Sequence, residues 1–186
     1  KEPDVVPAGD GGRRVFLLGS YAPSLLNFRG PLIAALSARG HHVVAAAPEI
    51  GEATATGLRA IGAEPLSLRL SNASLSPLSM LRSLRDLRRL LRAHRPDLLI
   101  SYTIKPVILG ALAGRAEGVT RIVSLITGLR FAFTDDGGGP GRRFVRLVAS
   151  RLYRLALAKS HHILFQNNDD RALFGELGLL PPDRTI

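Results

Sequence analysis

Two cations stand beside prolines able to open a helix: Arg29 in FRGP (28–31) and Lys105 in TIKP (103–106). Each follows an apolar run of strand length, RVFLLG (14–19) and DLLISY (97–102). Proline is tolerated at the first helical position because its missing N–H would be unpaired there anyway. Pro106 is therefore expected at that position, and Arg29, Gly30 and Pro31 open an apolar helix over 32–39 that stops at Gly40. The backbone N–H groups of such a turn lack helical partners and the helix dipole is positive there, so with Lys105 or Arg29 alongside, the turn suits phosphate or carboxylate. One such turn is ordinary, since every strand–helix unit has a helix N-terminus. Two of them carry more weight, because turns after the carboxyl ends of parallel strands gather on one edge of the sheet, where ligands lie.

Other chemistries lack their residues. No GxGxxG fingerprint follows the first strand and no GxxxxGK[ST] loop occurs, which disfavours nicotinamide cofactors and P-loop nucleotide hydrolysis. With no cysteine there is neither a disulfide framework nor a thiolate zinc site, as expected of a cytoplasmic protein. His41 with His42, and His161 with His162, are neighbours at strand starts, where successive side chains point to opposite faces; no shared metal is expected. No GxSxG elbow is present. Asp135 and Asp136 fall in a glycine-rich loop (135–141), a poor platform for paired-carboxylate catalysis. His94 reads as an ordinary helix-end residue.

Positioning Arg29 and Lys105 requires alternating strands and helices. Further strands are expected at 42–47, 64–70, 121–126 and 162–166, with helices over 52–61, 77–94, 142–159 and from a cap at Asn168 or Asp169 to Gly178. This alternation predicts an α/β fold, a doubly wound and mostly parallel sheet with helices on both faces. At 186 residues and 46% hydrophobic content, the expectation is one domain over 13–186 behind a flexible leader at 1–12. No apolar run approaches the roughly 18 residues that cross a bilayer, and no signal peptide stands at Lys1.

The formal charge of +10 is concentrated in two helices. One carries Arg82, Arg85, Arg88, Arg89, Arg92 and Arg95, the other Arg142, Arg143, Arg146, Arg151, Arg154 and Lys159. In the second, Phe144, Val148, Leu152 and Leu155 are expected to pack on the sheet, leaving Arg142, Arg143, Arg146 and Arg154 to meet anionic lipid. Nucleic acid is a poor partner, since aromatic residues make up only 5% of the chain and no stacking motif interleaves the charges.

The segments SLLNFRGPLIAALSARGHHV (24–43), SLSPLSMLRSLRDLRRLLRAHRPDLL (74–99), TIKPVILGALAGR (103–115), SLITGL (124–129) and HILFQNNDD (162–170) together resemble the amino-terminal half of a retaining family-four glycosyltransferase. More narrowly, they are similar to the bacterial subgroup acting on diacetylbacillosaminyl-diphospho-undecaprenol. The resemblance implies a GT-B enzyme, two Rossmann-like domains facing across a cleft, in which this half mainly holds the acceptor. It implies a UDP-sugar donor with no further cofactor or metal, a saccharide on a polyprenyl diphosphate as acceptor, and a cytoplasmic enzyme peripheral to the inner face of the membrane. Phe28, Arg29 and Gly30 match the first acceptor-side loop, Thr103 and Lys105 the turn near the acceptor diphosphate, and Thr127 and Gly128 the loop after the fifth strand. The catalytic residues are expected in a carboxy-terminal donor domain, carrying an E-x7-E motif, that these residues do not include. Two departures stand out: Ser101, Tyr102 and Thr103 fill a place where many family members have histidine, and Arg130 replaces a frequent glycine. Without the resemblance, Arg29 and Lys105 describe equally a non-catalytic α/β module for an anionic small molecule or partner.

Overall fold

The computed structural model describes residues 11–69, 77–127 and 140–181. Six strands, β1 (Arg14–Leu18), β2 (His42–Ala47), β3 (Ala63–Ser67), β4 (Leu98–Tyr102), β5 (Arg121–Ile126) and β6 (His162–Phe165), form one sheet in the order β3-β2-β1-β4-β5-β6. Every pairing is parallel. Parallel neighbours need crossovers. Seven helices among the described residues serve them or follow the last strand: α1 (Ala22–Asn27), α2 (Gly30–Ala38), α3 (Glu52–Ala60), α4 (Pro77–His94), α5 (Ile104–Ala116), α6 (Pro140–Leu157) and α7 (Asn168–Glu176). The expected doubly wound α/β sheet is thus observed.

Both sheet faces are apolar, as a sheet covered by helices on each side requires. Phe16, Leu18, Leu99 and Ile122 pack with Leu87 and Leu91 of α4, Leu109 of α5 and Tyr153 of α6. Val15, Leu17, Ile100 and Tyr102 pack on the other side with Leu25 of α1, Ile33 of α2 and Leu58 of α3. α5 approaches the sheet closely because Gly110 and Gly114 lack side chains. A Cβ on Gly110 would collide with Ser101, and one on Gly114 would come within 2.9 Å of Leu99.

Four local expectations are corrected. A six-residue helix, α1, intervenes between β1 and α2; its start with Pro23 in the first turn and its brevity gave no periodic signal. α5 begins at Ile104, so Pro106 is its third residue rather than its first. Its missing N–H still costs nothing there, because the first four amides of a helix have no helical acceptor. The cap of α7 is Asn167, whose side chain accepts from Asp170 N at 2.7 Å. On α6 the packed side comprises Leu152, as expected, with Tyr153, Ala156 and Leu157, whereas Val148 and Leu155 are 39% and 56% exposed. The phase is set by Tyr153, which meets Phe174 of α7 edge-on at 5.5 Å, a partner no helical wheel contains.

Candidate functional site at the strand-order switch

The strand order reverses between β1 and β4, and in open parallel sheets the crevice beyond the carboxyl ends of two such strands is where ligands bind. The chain leaving β1 passes through Gly19, Ser20 and Tyr21; the chain leaving β4 passes through Tyr102 and Thr103. They are tied across the switch. Thr103 Oγ1 lies 2.8 Å from Ser20 Oγ, and the Tyr102 hydroxyl lies 2.8 Å from Ser24 Oγ on α1. Gly19 makes the second contact available, since any Cβ there would strike the Tyr102 ring.

Thr103 holds φ 68° and ψ 158°. That region is open to glycine and strained by of order 1–3 kcal/mol for other residues. Thr103 Oγ1 also bonds the Tyr102 carbonyl, so the side chain fastens the conformation that its own backbone disfavours. The consequence is an abrupt turn from β4 into α5, which no side chain caps.

The two cations converge on this turn from different elements. Arg29, the residue before α2, places its guanidinium 4.9 Å from the centre of the Tyr102 ring. Among the described residues its Nε is buried without a hydrogen-bond partner. Buried donors are nearly always satisfied, by protein groups or by ordered water. Lys105, the second residue of α5, is only 7% exposed, and burial pushes its ammonium below the usual lysine range. Tyr102 moves the opposite way: burial raises its phenol above the ordinary value, while the Ser24 hydrogen bond and the charge of Arg29 pull it down.

The remaining expected residues divide. Phe28 is 70% exposed beside Arg29, and Gly30 opens α2, so both flank the crevice. Thr127 follows β5 on the same edge and is half-buried. Gly128 and Arg130 lie outside the described residues, as does the loop over 131–139. Arg142, Arg143 and Arg146 lie on α6 with side chains outside the described set; Arg154 is exposed. The residues that couple the site, Ser20, Ser24 and Tyr102, were not foreseen. Their signal was polarity at the ends of otherwise apolar runs.

The histidine pairs have structural roles: His41 Nδ1 accepts from Arg13 N at 3.2 Å and His161 Nδ1 from Ile122 N at 3.0 Å. Among the described residues no group of three or more His, Cys, Asp or Glu side chains could hold a metal ion.

The Rossmann-type sheet thus brings Arg29 and the buried Lys105 to its switch-point edge. The chain belongs to the glycosyl transferase 4-like domain family, whose profile matches residues 29–186. It is 28% identical over 166 residues to the N,N'-diacetylbacillosaminyl-diphospho-undecaprenol alpha-1,3-N-acetylgalactosaminyltransferase of Campylobacter jejuni, covering 89% of this chain and 43% of that one. The chain thus spans less than half the length of this relative. Among solved structures, a glycosyltransferase from Rickettsia africae superposes with a TM-score of 0.64 at 12% identity over 94% of this chain and 42% of that one. A UDP-N-acetylglucosamine 2-epimerase superposes at 0.58 with 11% identity over 94% and 45%. Likenesses this remote define the fold alone, and a transferase and an epimerase sharing it shows why chemistry must be argued from the site.

Proposed function

We propose that this chain is the acceptor-side domain of a retaining GT-B glycosyltransferase that moves a sugar from a UDP-sugar to a saccharide carried on a polyprenyl diphosphate. One observation carries the reading: the segment matched by the glycosyltransferase family encloses both cations of the switch-point crevice, Arg29 and Lys105. A diphosphate would supply an acceptor that Arg29 Nε lacks among the described residues, with Lys105 as a second cation on the same sheet edge. Phe28, exposed next to Arg29, offers an apolar face to a sugar ring, and Gly30, Thr103 and Thr127 complete the rim among the described residues.

A second Rossmann-like domain, holding the UDP-sugar and the catalytic carboxylates, closes the cleft from the other side. No resident cofactor or metal is required by this reading. The lipid-borne acceptor keeps the enzyme at the inner face of the membrane, where basic residues contribute attraction to anionic lipid of on the order of 1 kcal/mol each. No helix among the described residues is long and apolar enough to cross a membrane.

Titration calorimetry with a short-chain isoprenyl diphosphate saccharide tests the acceptor assignment. The expected result is binding by the parent chain, weakened when the saccharide–diphosphate is replaced by the free saccharide. Equal binding of both would remove the diphosphate from the site. Incubation with a UDP-sugar and the same acceptor is expected to give no transfer, and turnover by these 186 residues alone would overturn the two-domain reading.

A further inference from the structure

Two leucines of α4 stand in the open: Leu78 is 67% and Leu81 57% exposed. At about 100° per residue they share one ridge with Arg82, Arg85 and Arg89, while Met80, Leu84, Leu87 and Leu91 turn to the core. The helix joins the start of β4 through Arg95 and Pro96, so its His94 end lies at the amino edge of the sheet and its Pro77 end at the carboxyl edge. Eighteen helical residues span roughly 27 Å and a five-residue strand roughly 17 Å, so the first turns of α4 overhang the carboxyl edge. Contacts agree: Leu68 and Arg69, just past the end of β3, line a small pocket with Ser83, Asp86 and Leu87, which leaves Leu78, Leu81 and Arg82 farther out.

Charge is graded along the same helix. Arg88 and Arg92 are tied to Glu117 at 2.6 and 2.9 Å, and Arg89 lies 3.8 Å from Asp86. Arg82 and Arg85, on the overhang, make no ion pair among the described residues.

We infer that the overhanging half of α4 is a membrane anchor, in which Leu78 and Leu81 enter the headgroup region of an anionic bilayer and Arg82 and Arg85 lie against its phosphates. Apolar residues bordered by uncompensated arginines on a chain of net charge +10 match such a surface in both hydrophobicity and sign. The overhang also lies on the sheet edge that carries Arg29 and Lys105, so a bilayer holding α4 presents its lipid-borne diphosphates to the crevice. The exposed Leu155 of α6 lies near the opposite edge, because Leu157 ends the helix just before β6 begins. The inference rests on the acceptor reading above but is tested separately from it.

The chain has no tryptophan, so Leu81→Trp and Leu155→Trp each give a single fluorophore at an exposed position. With phosphatidylglycerol vesicles, Leu81→Trp emission is expected to shift to the blue and become shielded from an aqueous quencher, with no change on phosphatidylcholine; Leu155→Trp stays at its solvent value. Leu78→Ser combined with Leu81→Ser is expected to lower vesicle partition at least tenfold, since burying even part of a leucine is worth a factor of several (roughly). The same variant keeps the parent's calorimetric affinity for the isoprenyl diphosphate saccharide. An unshifted Leu81→Trp on vesicles that sediment the chain would overturn the anchor and move the contact to α6, which Arg143→Gln, Arg146→Gln and Arg154→Gln together would then release. A blue shift that follows protein concentration without vesicles would overturn it in favour of a second copy of the chain. Failure of the parent to sediment with anionic vesicles would overturn it outright while the diphosphate titration still decides the acceptor site.

Discussion

At the amino edge of the sheet the polar groups find partners: Asp97 accepts from Arg14 N at 2.8 Å, His41 and His161 accept backbone amides, and Glu117 holds two arginines. At the carboxyl edge Arg29 Nε and Ser101 Oγ are buried without a partner among the described residues, Thr103 sits in a glycine region, and Phe28 and Tyr21 face solvent. Both edges are cut from the same strands, so the difference is not one of propensity or core packing. The amino edge is closed by its own side chains, whereas the carboxyl edge, beside the Ser20–Thr103 and Ser24–Tyr102 contacts, keeps polar atoms unpaired among the described residues, as the proposed binding edge requires.

The sharpest break of that comparison is at the cations. Lys105→Ala and Arg29→Ala are each expected to weaken the isoprenyl diphosphate saccharide by about 1.5–3 kcal/mol, roughly tenfold to hundredfold, while thermal melting stays cooperative. pH sharpens the result. Because burial lowers the Lys105 pKa, the lysine loses its charge at lower pH than an ordinary lysine, and affinity should fall as pH rises through that depressed value. Its stability effect has the opposite sign: the cost of burying the charge is present below the folded pKa and is relieved as pH rises through it. An affinity flat in pH until the ordinary lysine range would place Lys105 outside the site.

Thr103 gives the next effect. Thr103→Ala keeps the strained backbone and loses both hydroxyl contacts, whereas Thr103→Gly relieves the strain. The glycine variant should therefore be the more stable of the two by about 1 kcal/mol in denaturant titration, reversing the usual order of alanine over glycine. The usual order would show that the turn carries no strain.

At the amino edge, Asp97→Ala should cost about 1 kcal/mol of stability through its lost bond to Arg14 N and leave diphosphate affinity untouched. A matching loss of affinity would dissolve the separation of edges. Glu117 supplies a pH signature: hydrogen bonds from Arg92 and then Arg88 hold its carboxyl below the ordinary value of 4.5, against the opposing effect of burial. Its stabilisation is present above that value and is lost as pH falls through the depressed folded pKa. In Glu117→Gln the acid limb of the stability profile should flatten, and an unchanged limb would mean the pair is worth nothing.

Much of this architecture is written in local patterns. Apolar runs bounded by polar residues mark β1, β2, β4 and β5, and a long leucine–arginine periodicity marks α4 from Pro77 to His94. Where legibility failed, a partner distant in sequence decided. Tyr153 sets the phase of α6 through Phe174, and α1 is too short for periodicity to reveal. At the site, Arg29 and Lys105 were visible because a cation beside a helix-opening proline has a local meaning. The ring beneath Arg29 was not, since Tyr102 meets Ser24 across 78 positions and its clearance depends on Gly19 having no side chain.

The glycine pair on α5 has a kinetic consequence. Gly110 and Gly114 let the helix lie flush on β4 and β5, with α4 and α6 against its flanks, so the backbone bearing Lys105 is wedged on four sides before any ligand arrives. A phosphate reaching this turn has no slow rearrangement to wait for. Stopped-flow traces should then relax in a single exponential whose rate climbs linearly with ligand concentration, and differences among ligands should reside in how fast they leave.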